Sequence, residues 1–325
     1  MDVASFCRQS RVLVVAGKGG VGKSTMVAAL GRMASDAGLS VLVVELEGKP
    51  GIRVAYGGHG PLLYEESLLA APSPSGAGPV RGRRITPDDA LLEYLADHGL
   101  HRVSKRLLST GVLDVVATAI PGIRDVLVLG KVKGLERDRV ADLILVDAPA
   151  TGHAVTFLTS AGGLLGIARS GPVQTQAAEV DALLRDPVRC RVVLVTLAEE
   201  MPVSETVEAA YQLEDRAGLR LGPVIVNSVA GLPPGLDGDA GEAAGTVGVR
   251  CSDEQLAALN EARRFRIRRG ELEAEQLARL GRELPLPQLR VPELAAPVIG
   301  PAELDVLSAS LARGIGDLVP EVPVP

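Results

Sequence analysis

The 325-residue sequence has little of what a disulfide-bonded, metal-clustered or membrane-spanning protein needs. It contains three widely separated cysteines, no CxxC pair and no tryptophan, and aromatic residues make up only 2% of it. No apolar run approaches the ~20 residues of a membrane-spanning helix, and the first residues show no export signal. We therefore expect a cytoplasmic protein whose core consists mainly of Val, Leu, Ile and Ala.

Lysine is also scarce. Two of the few lysines, Lys18 and Lys23, lie within one nine-residue stretch, although arginine supplies most of the positive charge elsewhere. Their placement indicates that compact ammonium groups are needed there. The net charge of -6 disfavours binding of nucleic acid through the overall field of the protein.

Short runs rich in Val, Ile and Leu alternate with helical patterns. Continuous apolar runs of this kind are typical of parallel strands that are covered on both faces. The alternation predicts an α/β fold, a doubly wound and mostly parallel sheet flanked by helices. One helix is predicted from Lys23 to Ala37, ended by Gly38, and another follows Pro202. The predicted strands cover residues 11–16, 40–45, 142–147, 191–197 and 222–227.

No internal repeat is visible, so a single domain is expected across residues 1–325. Residues 57–140 are predicted to be an inserted loop and helical subdomain, in which 71–84 form a Pro-, Gly- and Ser-rich loop. A second segment, 231–250, is rich in Gly and Ala and is predicted to be a mobile loop.

The sequence GKGGVGKST stands between the first predicted strand and the helix that follows it. This spacing is typical of a phosphate-binding loop, in which glycines allow backbone N–H groups to face an anion at a helix N-terminus. Lys23 is expected to reach the β- and γ-phosphates, and Ser24 to coordinate Mg²⁺. The predicted ligands are ATP and Mg²⁺. The predicted binding residues in this loop are Gly17, Lys18, Gly19, Gly20, Val21, Gly22, Lys23, Ser24 and Thr25.

With its first lysine, this loop resembles the deviant Walker A loop of one group of P-loop NTPases, of the SIMIBI type. The group includes septum-site and chromosome-partition ATPases, the nitrogenase iron protein, and the arsenite-pump and tail-anchored-protein-targeting ATPases. The resemblance implies that Lys18 is catalytic and reaches across a dimer interface to the nucleotide of the partner. A solvated loop lysine is the alternative.

The stretch D-A-P-A-T-G-H, residues 147–153, resembles D-T-A-P-T-G-H of the arsenite-pump and targeting branch, with the proline one place earlier. The resemblance implies that Asp147 is catalytic and binds Mg²⁺ through water. It also implies that Gly152 and His153 form a switch that senses the γ-phosphate. For His153, a structural or solvated role is equally open. Asn227, at the end of the last predicted strand, would contact adenine.

Departures from the family concern the chemistry and the client. Glu47 takes the place of the family's aspartate that positions the attacking water, and its side chain is one methylene longer. A shift of about 1 Å can cost on the order of 100-fold in rate, so hydrolysis is expected to be slow or differently arranged. Glu45 is a second candidate, or a structural carboxylate. The metalloid-binding cysteines, the CxxC zinc clasp and a methionine-rich groove are absent from the sequence, so neither specialised function carries over.

Three functions remain open from the sequence. The first is an ATP-hydrolysing dimeric switch with an unknown protein client. The second is a nucleotide-binding regulatory subunit with weak or no hydrolysis, paired with a related ATPase. The third is a partition or positioning ATPase, which the acidic balance and the lack of a basic membrane-targeting helix disfavour. We expect a homodimer or heterodimer, no nucleic acid and no stable membrane insertion. The basic cluster 263–269 is interpreted as a solvated helix face.

Overall fold

Eight strands form one sheet in the computed structural model, which describes residues 1–46, 51–97, 122–167 and 170–318. In chain order the strands are β1 Val12–Gly17, β2 Val41–Glu45, β3 Ser67–Ala70, β4 Val80–Arg84, β5 Leu143–Ala150, β6 Cys190–Leu197, β7 Val224–Val229 and β8 Gln288–Pro292. Their order across the sheet is β3-β4-β2-β5-β1-β6-β7-β8, and only β3 runs antiparallel to its neighbour. This topology confirms the predicted doubly wound, mostly parallel α/β sheet.

Helices cover both faces of the sheet, as the crossover connections between parallel strands require. Within the described ranges they are α1 Val3–Cys7, α2 Lys23–Asp36, α3 Gly51–Ala55, α4 Pro87–Asp97, α5 Ile123–Arg137, α6 Thr151–Ile167, α7 Pro172–Arg185, α8 Glu200–Tyr211, α9 Ala240–Val247, α10 Asp253–Glu283 and α11 Pro301–Gly316. A short π-helical turn, Gln212–Arg216, continues α8.

Two apolar layers hold these elements together, because side chains of a strand alternate between the two faces. Leu13 and Val15 of β1 pack with α1, α2 and α11 on one face. Val12 and Val14 pack with α5 to α8 and the end of α10 on the other. All six residues of β1 are buried, which makes it the centre of the molecule and a rigid base for the loop that follows it.

The predicted strands are all present, each within three residues of its predicted limits, and the first predicted helix is confirmed as α2. The prediction of a loop over 71–84 is wrong for residues 80–84, which form β4. The sequence of this strand, VRGRR, lacks the apolar run that predicts a strand. Arg83 is nevertheless buried: its guanidinium lies 4.6 Å from the centre of the Tyr64 ring, which replaces the missing apolar contact.

The inserted segment 57–140 therefore contributes two strands to the edge of the sheet in addition to helices α4 and α5; residues 98–121 lie outside the described ranges. The interval 231–250 is not all loop, since it contains α9, capped by Asp239. The mobility predicted for it stays a prediction. In the part of the chain that the structure describes, no helix is both long and apolar enough to cross a membrane.

Candidate phosphate-binding site

The glycine-rich loop connects the buried strand β1 to the N-terminus of α2. Gly22 caps the helix with φ 90° and ψ 27°, and Gly20 has φ 89°. Side chains rarely adopt such left-handed conformations without strain, so glycine is required at both places. A turn of this kind allows backbone N–H groups to face an anion. The positive end of the α2 dipole lies beside the same turn and also favours an anion.

The backbone of β6 and the Asn227 side chain of β7 approach the loop so closely that a Cβ atom would clash at each of two glycines. A Cβ atom on Gly17 would lie 2.2 Å from the carbonyl oxygen of Val195 in β6. A Cβ atom on Gly22 would lie 2.3 Å from Nδ2 of Asn227, the amide nitrogen that donates to the carbonyl oxygen of Val21 at 2.9 Å. The predicted contact of Asn227 with adenine stays a prediction; its amide here anchors the loop backbone.

The two lysines of the loop lie in different surroundings. Lys23 Nζ donates to the carbonyl oxygen of Lys18 at 3.0 Å, so its side chain folds back over the loop. Lys18 Nζ instead donates to Glu205 Oε1 of α8 at 2.6 Å. The Lys18 and Glu205 side chains are 35% and 32% exposed. No local pattern predicts this ion pair, because the two residues are 187 positions apart in sequence.

Ser24 and Asp147, both predicted to serve Mg²⁺, are brought together. Ser24 Oγ, in the first turn of α2, donates to Asp147 Oδ2 at 2.6 Å. Asp147 lies on β5, the neighbour of β1, and is only 8% exposed. A hydroxyl and a carboxylate are the hard oxygen ligands that Mg²⁺ prefers, so these two residues fit the predicted ion.

Glu45 joins this carboxylate at the end of β2. It pairs in parallel register with Asp147, and residues paired in this way project to the same face of the sheet. Glu45 is 1% exposed, and its backbone carbonyl accepts a hydrogen bond from the Ile85 N–H at 2.9 Å. The Glu45 side chain therefore lies on the same face of the sheet as the Asp147 side chain, which is the face that α2 covers. The other candidate, Glu47, lies outside the described residues, and its catalytic role stays a prediction.

The switch residues lie in the first turn of α6 rather than in an open turn. Strand β5 ends at Ala150, which pairs with Gly17 of the phosphate loop. Gly152 and His153 follow at once and are exposed. Burial raises the pKa of Asp125 on α5, and the nearby His153 partly offsets this rise. The position beside the loop suits a γ-phosphate sensor, but the switch role itself stays a prediction.

Comparison with known proteins gives matches for both the loop and a larger part of the chain. A family model described as the CobQ/CobB/MinD/ParA nucleotide binding domain matches residues 12–57. The ATPase BagA of Mycobacterium tuberculosis is 38% identical over 224 residues, which cover 67% of this chain and 64% of that protein. Arsenical pump-driving ATPases of Escherichia coli and Acidiphilium multivorum are each 27% identical over 67% of this chain and 34% of their own length. The chain thus spans less than two thirds of the length of these relatives.

Proposed function

This chain is a P-loop nucleotide-binding protein related to ATPases of the arsenical-pump type, and from that premise we propose that it is a Mg²⁺-dependent ATPase that works as a dimeric molecular switch. The observation that supports this most directly is the hydrogen bond from Ser24 to Asp147 beside the glycine loop. Burying an acidic side chain against the first turn of α2 costs free energy, and a bound cation would compensate that cost.

In this proposal the residues of the site divide the work. The loop N–H groups and Lys23 bind the phosphates, since charge-assisted hydrogen bonds to anions are the strong ones. Ser24 would hold Mg²⁺ directly and Asp147 through water, and the ion, when bound, would supply positive charge beside the phosphates. Glu45 extends the carboxylate layer beside Asp147. Glu47 orients the attacking water and accepts its proton.

Dimerisation enters through Lys18. In a single subunit the ammonium group of Lys18 is paired with the Glu205 carboxylate. We infer that ATP-dependent association of two subunits draws Lys18 away from Glu205 toward the phosphates of the partner, where positive charge stabilises the transferring phosphoryl group. The ion pair with Glu205 would then keep an isolated subunit slow. Hydrolysis or product release then separates the two subunits.

A second function, a regulatory nucleotide-binding subunit with weak hydrolysis, is supported by one specific observation. Glu47, which follows β2 in the sequence, takes the place of the family's shorter aspartate, whereas the phosphate loop departs nowhere from its pattern. Binding without efficient turnover would follow from such a combination. The client of either form is unknown.

The deciding experiment measures phosphate release from ATP by the purified protein, with Mg²⁺ and with EDTA, across a range of protein concentrations. An ATPase switch predicts Mg²⁺-dependent turnover whose specific rate rises with protein concentration, because dimers are the active form. Lys23→Ala is the matched negative control for contaminating activity. Tight ATP binding with no turnover at any concentration would favour the regulatory subunit, and no ATP binding would exclude both.

A further inference from the structure

Arg84 is the last residue of β4 and lies on the same edge of the sheet as the carboxylates of the phosphate site. It pairs in parallel register with Glu45 of β2, and Glu45 pairs in turn with Asp147 of β5. The three residues form one row across the sheet, which we call the charged row, with neighbouring members about 4.8 Å apart. The function proposed above uses both carboxylates of this row but assigns no role to Arg84.

The side chains of the charged row share the face of the sheet that α2 covers. Val80 of β4 packs in the apolar layer of that face, whereas Ile85 packs in the opposite layer. Because side chains alternate along a strand, Arg84 lies on the face of Val80. Ser24, in the first turn of α2, donates to Asp147 on this same face. The row thus leads from the proposed Mg²⁺ ligands to a positive charge.

Backbone hydrogen bonds fix the two inner ends of this arrangement. The Ile85 N–H donates to the carbonyl oxygen of Glu45 at 2.9 Å, and the Arg84 N–H donates to that of Leu63 at 2.7 Å. Changes in the distance between the charges of Arg84 and Glu45 therefore come from their side chains. Arginine carries several N–H donors on a long side chain and matches a carboxylate in geometry. A Glu45 carboxylate that turns toward β4 comes within reach of these donors.

The Arg84 guanidinium has a donor to spare. Its Nε atom is buried and makes no hydrogen bond with any residue that the structure describes. A buried donor without an acceptor costs free energy, so an acceptor that reaches it stabilises the state in which the two meet. Glu45 is only 1% exposed. Because this Nε atom and the Glu45 carboxylate are both already buried, pairing them adds little to the cost of desolvation.

ATP would supply the force that brings the two groups together. In the proposed function its phosphates lie beside Asp147, which is one strand spacing from Glu45. Like charges at this distance repel one another where water is excluded, so a Glu45 carboxylate beside the phosphates opposes ATP binding. Turned toward Arg84, the same carboxylate is neutralised and the opposition falls. ATP binding and the pairing of Glu45 with Arg84 therefore favour each other.

We propose that Arg84 is a positioning residue of the nucleotide site, which receives the Glu45 carboxylate when ATP binds. Arg84 contacts neither the nucleotide nor Mg²⁺. It acts through Glu45, by drawing a negative charge away from the phosphates. This inference rests on the proposed function, because it requires ATP beside Asp147, and it brings strand β4 into the nucleotide site.

A double-mutant cycle tests the role of Arg84. ATP affinity is measured by calorimetry, with Mg²⁺ and with EDTA, for the wild type, Arg84→Gln, Glu45→Gln and the chain carrying both changes. Arg84→Gln should weaken ATP binding about 5-fold or more, because Glu45 then keeps its charge beside the phosphates. In the Glu45→Gln background the same change should cost less than about 2-fold, since no carboxylate has to be received. Arg84→Lys keeps the charge and should restore most of the affinity.

Arg81→Gln is the matched control. Arg81 lies on the same strand but pairs in register with Leu42 of the opposite apolar layer, and its guanidinium contacts Glu66 at 2.7 Å. The control removes the same charge and should leave ATP affinity within about 2-fold of the wild type. If Arg84→Gln does not fold, Glu45→Asp replaces it: the shorter carboxylate stays beside the phosphates, so ATP binding should again weaken.

The outcomes separate this inference from the proposed function. Unchanged ATP affinity in folded Arg84→Gln, or in Glu45→Asp where that variant replaces it, shows that Arg84 has no such role. Equal losses from Arg84→Gln in both backgrounds show that Arg84 does not act through Glu45, and the inference is wrong. In each of these cases ATP binding by the wild type leaves the proposed function standing. A wild-type protein that binds no ATP, with or without Mg²⁺, overturns both.

Discussion

The ends of β1 and β2 lie two strands apart on the same edge of the sheet, yet they are built in opposite ways. After β1, backbone geometry dictates nearly every residue: Gly17 has no room for a side chain and Gly22 has a left-handed conformation. After β2 the chemistry is expected to depend on a side chain, because Glu47 is the residue predicted to orient the attacking water. The first region matches its family's pattern throughout, whereas the second departs from it.

The difference teaches that phosphate binding and hydrolysis can diverge separately. Binding depends on backbone N–H groups that correctly placed glycines allow to face an anion, together with the charge of Lys23. Hydrolysis depends on the reach of one carboxylate to within about an ångström. A protein can thus keep the loop unchanged while its turnover drifts, and variants at the two sites should affect different quantities.

The largest effect is expected at Glu47, which follows β2 in the sequence. Glu47→Gln retains the size of the side chain but removes the base that orients water, so turnover should fall on the order of 100-fold while ATP affinity is unchanged. Steady-state phosphate release and calorimetric ATP titration measure the two quantities.

Two further variants sharpen this result. Glu47→Asp restores the family's residue and should raise turnover if side-chain reach is the limiting defect. If Glu47→Gln turns over at the wild-type rate, Glu47 is not catalytic, and Glu45→Gln becomes the decisive variant because Glu45 adjoins Asp147 in register.

The same difference between backbone geometry and side-chain contacts decides how much of the site the sequence can predict. The phosphate loop, its strand and its helix could be predicted residue by residue, because glycine spacing reports backbone geometry that is local in the chain. The loop motif itself predicts Mg²⁺ coordination by Ser24, whereas the role of Asp147 follows only from the resemblance, and no pattern predicts the contact between Lys18 and Glu205. Such contacts depend on how distant strands and helices meet, which no local pattern records.

A second prediction concerns the loop. Lys23→Ala removes the charge that should bind the phosphates, so ATP affinity should fall by at least about 2 kcal/mol, or roughly 30-fold. Isothermal titration of the folded variant checks this, and Arg32→Ala, on an outer face of α2, is the control. Unchanged ATP affinity in folded Lys23→Ala protein would show that the loop does not bind phosphate as assigned.

The fold shows the same limit of prediction as the site. Apolar runs predicted the five central strands, because parallel strands covered on both faces must be apolar throughout. Strand β4 could not be found in this way. Its sequence, VRGRR, buries Arg83 against Tyr64, with Glu66 at 3.9 Å from the guanidinium. A strand stabilised by contacts between polar or aromatic side chains has no apolar signature.

Smaller changes should follow from altering loop glycines. Gly22→Ala places a Cβ atom against the Asn227 amide in a left-handed conformation, so the free energy of unfolding should fall by about 1–2 kcal/mol. Gly19→Ala is the matched control, because its Cβ atom would meet only Ala150 at an ordinary 3.8 Å. Chemical denaturation measures both. Equal stability of the two variants would mean that the loop tolerates a changed backbone, contrary to its proposed rigidity.

The smallest change in stability is expected where the loop meets α8. Glu205→Gln keeps the shape of the side chain and removes the charge that holds Lys18. Both side chains of the pair are about one third exposed, and ion pairs screened by water contribute little, so the free energy of unfolding should change by less than about 0.5 kcal/mol. The freed Lys18 should strengthen ATP-dependent dimerisation several-fold in sedimentation velocity, since no intramolecular ion pair then competes with the partner. Glu208→Gln, exposed on the same helix, should have no such effect. If Glu205→Gln weakens the dimer instead, Glu205 takes part in the contact between subunits and does not restrain Lys18 within one.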